Sequence, residues 1–269
     1  MAKILLIETA TEVCSAAIAA DGRVIAIAED LQQPNHTARL TLLIEDCVKQ
    51  SGIALASLDA VAVSRGPGSY TSLRTGASVA KGLCYALDKP LIAVDTLQAL
   101  AWAESRIADY GLRIADYGLG INPAPGMDNK QENEVLTTGR ANPKSTIYVP
   151  MLDARRQEVW TAVYDADLQE LLSARPLILQ NNLFQKFIQS ALEKSPKSRV
   201  VILGNGAKKL GNELIGENMV VSNIQNCSAG HLAGLAERFF QTAEFQDISY
   251  YEPHYMKPPN ITTPGKPLF

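Results

Sequence analysis

The sequence has little of what several protein classes require. Its four cysteines (Cys14, Cys47, Cys84 and Cys227) are far apart and include no CxxC pair. No disulfide framework is expected, and the thiols are read as free and buried in a reducing cytosol. The three histidines are scattered at 36, 231 and 254. His36 has Leu40 four residues on, so it is read as a capping or packing residue rather than half of a helical ligand pair. No apolar run approaches the roughly 18 residues that would span a bilayer. The opening MAKILLIETATEVCS lacks a charged leader region and a small-residue cleavage site, so it is read as mature, cytoplasmic sequence. A basic excess is missing too. The net charge of −3 is a poor footprint for holding a polyphosphate strand unaided, though it leaves room for a local basic patch. Neither GxGxxG nor GK[ST] occurs, and no nucleophile–base–acid set can be assembled.

What is present reads as an α/β protein. Residues 3–9, 13–20 and 23–29 are strand-like, with Asp21-Gly22 marking a hairpin between the second and third. A helix is predicted over 35–51 from Leu40, Leu43, Ile44, Cys47 and Val48, with Gly52 as its stop. Then come a strand at 59–64, a helix at 70–87 and a strand at 91–95. The later chain repeats this plan more faintly. Strands are predicted at 146–152, 157–164, 175–180, 199–203 and 219–223, with helices at 182–193, just after Gly204-Asn205-Gly206, and at 229–242. Two β-first, α-later copies predict two stacked ribonuclease-H-like domains. The first is expected to comprise 1–100 plus about 224–250, and the second 101–223. Residues 106–119 are the tandem heptapeptide RIADYGL RIADYGL, which with the Asn- and Pro-rich stretch to 145 reads as an insertion. Residues 251–269 read as an extended tail, and Tyr250, Tyr251, Tyr255 and Lys257 as a docking strip.

Three places invite a functional reading. Arg65-Gly66-Pro67-Gly68-Ser69 joins a strand to a helix, where backbone amides can hold an anion. Proline removes one donor and no lysine follows, so a structural turn is preferred. The next helix is apolar nearly all round: Leu73, Gly76, Ala77, Ala80, Cys84 and Leu87 form one stripe, and Ser72, Val79, Leu83 and Ala86 another. Such a helix needs cover on more than one face, from its neighbour at 35–51, from a second subunit, or from both. Asp153-Ala154-Arg155-Arg156 falls at a strand end. It reads first as a solvated hairpin turn and second as a contact to RNA phosphate or to a partner carboxylate.

The segments ILLIETATEVCSAAI, HTARLTLLIEDC, GPGSYTSLR…AKGL…KPLIAV, MLDARRQEVW and LGNGA together resemble the TsaB (YeaZ) family of the bacterial tRNA threonylcarbamoyladenosine system. The resemblance covers most of the chain outside the repeat, the loop to about 145 and the tail. It implies an actin/hexokinase-like (ASKHA) double domain. It also implies a non-catalytic role, in which this subunit pairs with the threonylcarbamoyltransferase TsaD, alongside the ATPase TsaE, and meets tRNA only indirectly. In the catalytic relative the matching block leads into an HxxxH metal pair; here those positions fall at Thr96 and Leu100. That relative also has a metal-binding Asp before its last helix, whereas no carboxylate stands between Gln225 and Ala236 here. Neither a cofactor nor a metal is therefore expected. Glu8 replaces the Asp of many relatives. The expected partner surface is the helix pair 35–51 and 70–87, with Leu40, Leu43, Leu73, Ala77 and the rim charges Arg74 and Lys81. It leaves room for a self-dimer through the same helices. The alternatives are an ATP-dependent small-molecule kinase, with Glu8, Asp95 and Asp153 as candidate carboxylates, or a metallopeptidase.

Overall fold

A computed structural model describes residues 2–31, 36–110, 146–180, 182–211 and 216–257. The repeat beyond residue 110, the loop to 145, the tail beyond 257 and the side chain of His36 lie outside the described residues. The first sheet contains β1 (Lys3–Glu8), β2 (Cys14–Ala20), β3 (Arg23–Asp30), β4 (Ala60–Gly66) and β5 (Leu91–Asp95), in the order β3-β2-β1-β4-β5. The hairpin strands pair antiparallel, while β4 and β5 add in parallel after crossovers through α1 (His36–Ser51) and α2 (Tyr70–Leu87). Asp21 (φ 49°) and Gly22 (φ 71°) supply the two left-handed residues that close β2 onto β3.

The second sheet repeats the plan. It contains β6 (Thr146–Asp153), β7 (Glu158–Tyr164), β8 (Glu170–Ile178), β9 (Arg199–Leu203) and β10 (Met219–Val221), in the order β10-β9-β6-β7-β8. Here too the first three strands are antiparallel and the last two parallel. Helix α4 (Leu183–Lys194) lies between β8 and β9. This duplicated topology is the pair of ribonuclease-H-like units expected from the sequence. Helix α5 (Ala233–Gln241) packs back against β1, β3 and β5 of the first sheet. Strand β8 begins five residues before its predicted start, because Ser173 and Arg175 interrupt its apolar pattern.

Helix α3 (Thr96–Tyr110) starts directly after β5, where the sequence carries no start signal of its own. Asp95 makes it possible: its Oδ1 accepts from the amides of Leu97 (2.9 Å) and Gln98 (3.1 Å), satisfying two donors of the first turn. Leu97, Leu100, Ala101 and Trp102 then join one apolar core with Ile4, Leu6 and Ala62 of the first sheet and Tyr148, Ala162 and Leu203 of the second. Separate clusters lie beneath α1–α2 and beneath α4. All four cysteines are free and buried. Burial pushes Cys14 up to about 12 and Cys47 and Cys84 up to about 11, so none is a ready nucleophile near neutrality.

Ser228 precedes the short 3-10 turn Ala229–Leu232 that leads into α5. Its amide donates to His231 Nδ1 (3.2 Å), its hydroxyl donates to Glu29, and Ser15 Oγ receives the Ala229 amide (2.8 Å). Burial holds the His231 imidazole down at about 4. Protonation at Nδ1 would also destroy the cap. Because the folded value lies below that of the unfolded chain, His231 contributes stability above about pH 6.5 that is lost as pH falls toward 4. The full loss is at most about 3 kcal/mol. Glu8, Glu29 and Asp95, raised by burial, act oppositely and gain stability as they protonate. Urea unfolding of the protein and of His231→Asn should therefore give a free-energy difference that shrinks steadily from pH 7 to 4.5. A constant difference would rule out this role.

Candidate functional site: the α1–α2 face and the loops beneath it

The signature loop folds as a brace between β1 and α2. Gly66 takes φ 103°, and the following Gly66–Pro67 peptide is cis. Gly68 sits so close to the end of β1 that a Cβ there would meet Ala10 O at 2.3 Å. The Ser69 amide donates to that same oxygen at 2.8 Å, and the Ser72 hydroxyl donates to Ser69 Oγ at 3.0 Å. The N-cap amide of α2 is therefore committed to Ala10 rather than free for an anion.

Below the loop lies Glu8, wholly enclosed. Its Oε1 accepts from the Ala10 amide (2.5 Å) and from Ser64 Oγ (3.1 Å), while Oε2 has no partner among the described residues. Burial raises its carboxyl above the usual range, offset in part by those hydrogen bonds and one from Cys227. Asp95 is raised too, first by burial; the α3 amides and Arg65, at 3.8 Å, pull it back. Asp153 belongs elsewhere, ion-paired to Lys209 (2.5 Å) at the β6–β7 turn. No group of three or more His, Cys, Asp or Glu able to hold a metal occurs among the described residues. Thr96 and Leu100 are fully buried on α3.

The helix pair corrects part of the sequence expectation. Leu40 (0% exposed), Leu43 (3%) and Leu73 (1%) are buried in the protein's own core, and Ala77 (5%) is buried too, touching the surface only where it lines a cavity on α2. Apolar periodicity marked the inward face correctly, but it could not say what covers that face. Beside the first sheet, the cover is the segment after α5. Tyr251 is buried against α2, and its carbonyl accepts from Lys81 Nζ (3.2 Å). Arg74 lies over the Tyr70 ring (4.3 Å) and donates to the Tyr255 hydroxyl (3.3 Å). The segment then crosses the signature loop, where the His254 amide donates to the Arg65 carbonyl (2.7 Å), and ends with Lys257 against Glu158 and Trp160 of β7. The aromatic strip thus docks on its own chain, except for Tyr250, which is 84% exposed.

The outward face of the pair is different. On α2 it runs through Thr71, Arg74, Ser78, Gly82 and Tyr85, at helical steps of three or four. Gly82 faces open space and Tyr85 is 81% exposed. Helix α1 adds Leu42 (46% exposed) and meets α2 through Thr37 and Thr75, whose hydroxyls are 3.3 Å apart. A shallow cavity of about 220 Å³ between Arg74, Ser78, Lys81 and Glu252 flanks this face. Serine, threonine and glycine carry no hydrophobic signal, so the sequence marks the rim charges Arg74 and Lys81 but not the face between them.

The family model for TsaD, tRNA N6-adenosine threonylcarbamoyltransferase, matches residues 27–110, which hold both helices and the loop between them. The chain is 41% identical over 100 residues to the tRNA threonylcarbamoyladenosine biosynthesis protein TsaB of Haemophilus influenzae, covering 37% of this chain and 42% of that one. It is 31% identical over 122 residues to the tRNA N6-adenosine threonylcarbamoyltransferase of Geobacillus kaustophilus, covering 39% and 36%. The matched stretch thus spans about two fifths of the length of these curated relatives. Among solved structures, YeaZ from Pseudomonas aeruginosa superposes with a TM-score of 0.67 over 95% of this chain and all of that one, at 22% identity, a likeness of fold. The chain is thus similar to TsaB over more than a third of its length, and to YeaZ in fold along nearly all of it.

Proposed function

We propose that this protein is a non-catalytic subunit of a cytoplasmic tRNA-modifying assembly. In this reading it pairs with TsaD, in a system that also includes TsaE, and supports threonylcarbamoyl transfer to the adenosine beside the anticodon of tRNAs reading ANN codons. One observation carries the reading. The chain keeps the block that the transferase's family model matches, yet closes it with Thr96 and Leu100, side chains that cannot replace imidazole as metal ligands. The carboxylates left near the loops are poor substitutes. Glu8 is tied to Ala10 and Ser64, Asp95 caps α3, and Asp153 is neutralised in the second sheet.

The pairing surface in this reading is the outward face of α1 and α2. A partner built on the same block carries the same helix pair. Two such pairs can meet about a pseudo-twofold axis, each contributing the same surface. Gly82 and Ser78 let backbones approach closely, Tyr85 and Leu42 supply apolar anchors, and Arg74 and Lys81 set register at the rim. A self-dimer would use the same face and compete with the heterodimer. Light scattering of the chain mixed with purified TsaD should give the mass of a 1:1 pair, or a multiple of it. Two components that stay separate at tens of micromolar would defeat the reading.

A further inference from the structure

The turn between β6 and β7 contains two consecutive non-glycine residues in the left-handed region, Arg155 at φ 67° and Arg156 at φ 50°. L-residues resist that backbone, while glycine adopts it freely. The chain holds the turn with dedicated groups. The Arg155 amide donates to Asp153 Oδ1 (2.6 Å), and the Asp153 amide donates to Asn205 Oδ1 (2.9 Å). Lys209 Nζ reaches Asp153 Oδ1 (2.5 Å) and the carbonyls of Arg156 (2.7 Å) and Glu158 (2.9 Å). The lysine is used up inside the turn, and so are the nearby acids: Lys209 holds Asp153, and Lys257 holds Glu158. The guanidinium groups are treated differently. Arg155 and Arg156 are exposed, and among the described residues neither side chain has a hydrogen bond or ion pair. Lys208, next to the clamp, is also exposed.

We infer that this propped hairpin is a phosphate contact that grips the sugar–phosphate backbone of the RNA brought to the assembly. The inference rests on the reading proposed above and gives the chain a direct hold on the substrate. Guanidinium forks fit phosphate and carboxylate alike. The rest of the tip decides between them. It has no large apolar or aromatic side chain, only Ala154 and Gln157 beside the arginines, whereas protein interfaces centre on such anchors. It is also open to solvent, whereas a small-nucleotide site encloses its ligand. An open tip with unpaired cations suits an extended polyanion, in a contact that positions RNA without reading its sequence. A net charge of −3 fits one such hold rather than a whole groove.

The test uses the chain assembled with TsaD and an unmodified tRNA transcript, titrated from about 50 to 200 mM salt. The Arg155→Gly/Arg156→Gly double variant relieves the left-handed backbone, so its melting temperature should equal or exceed the parent's. Its RNA affinity should nevertheless fall about tenfold or more at the lowest salt, and its log–log salt slope should drop by about 2. Equal affinity and slope would overturn the proposal. Weakened pairing with TsaD would overturn it in favour of a partner carboxylate. ATP binding lost in the variant while RNA binding persists would overturn it in favour of a nucleotide phosphate. If the parent chain does not pair with TsaD, the function reading fails separately. Titration of the chain alone then tests the hairpin, which should show weak, salt-steep binding that the double variant lacks.

Discussion

Gly82→Arg should abolish pairing with TsaD while leaving the chain at least as stable as before. The position is exposed in the middle of α2, and nothing lies within 4 Å of where its Cβ would stand, so the folded chain can take any side chain there. Removing a glycine from a helix interior gains about 0.5–1 kcal/mol. The same long, charged side chain would stand where two backbones must come close. Burying an unpaired guanidinium in an apolar contact costs several kcal/mol, which corresponds to a fall in affinity of roughly a hundredfold or more. Tyr85→Ala should weaken pairing by about tenfold or more through loss of an aromatic anchor. Light scattering and calorimetry on each variant give mass and affinity, with melting as the control. Normal pairing by Gly82→Arg would show that the outward face of α2 is not the contact.

Gly68→Ala should have the opposite character, a large loss of stability from a single added methyl. That Cβ would lie 2.3 Å from Ala10 O and 2.7 Å from Ala10 Cβ, and backbone stands in the way rather than a flexible side-chain tip. Relief requires moving the end of β1 or the start of α2, which the Ser69 amide joins through Ala10 O. Either shift disturbs Leu73 and the other buried residues of that helix. A cost of about 3 kcal/mol is expected. The change appears as a lower urea midpoint at unchanged slope. Gly82→Ala, in the same helix but facing open space, should raise the midpoint instead. A mutation-tolerant Gly68 would mean that the brace is looser than its geometry implies.

Much of the fold was legible because local chemistry and tertiary packing agree. Asp21-Gly22 announced the β2–β3 hairpin, Gly52 the end of α1, and the alternating apolar strands the first sheet. The start of α3 was hidden because its decisive group is the side chain of the preceding strand's last residue: Asp95 ends β5 and caps the helix at once. The site was less legible. Leu40, Leu43, Leu73 and Ala77 stand out in the sequence because they are apolar, and the same property turns them inward, away from the outward face. The outward face holds, besides Arg74 and Leu42, glycine, serine, threonine and one tyrosine, whose placement only the packing of α2 reveals. Residues 251–257 fall in the stretch read as an extended tail with a docking strip, because nothing local says that Tyr251 has a core to enter.

The shared apolar core has a consequence for how the molecule can be divided. Ile4, Leu6 and Ala62 of one sheet, Tyr148, Ala162 and Leu203 of the other, and Leu97 and Trp102 between them belong to a single buried cluster. Either half expressed alone would expose a sheet of greasy side chains to water, so the duplicated topology does not yield two separable modules. Heat or denaturant should melt both halves in a single cooperative step.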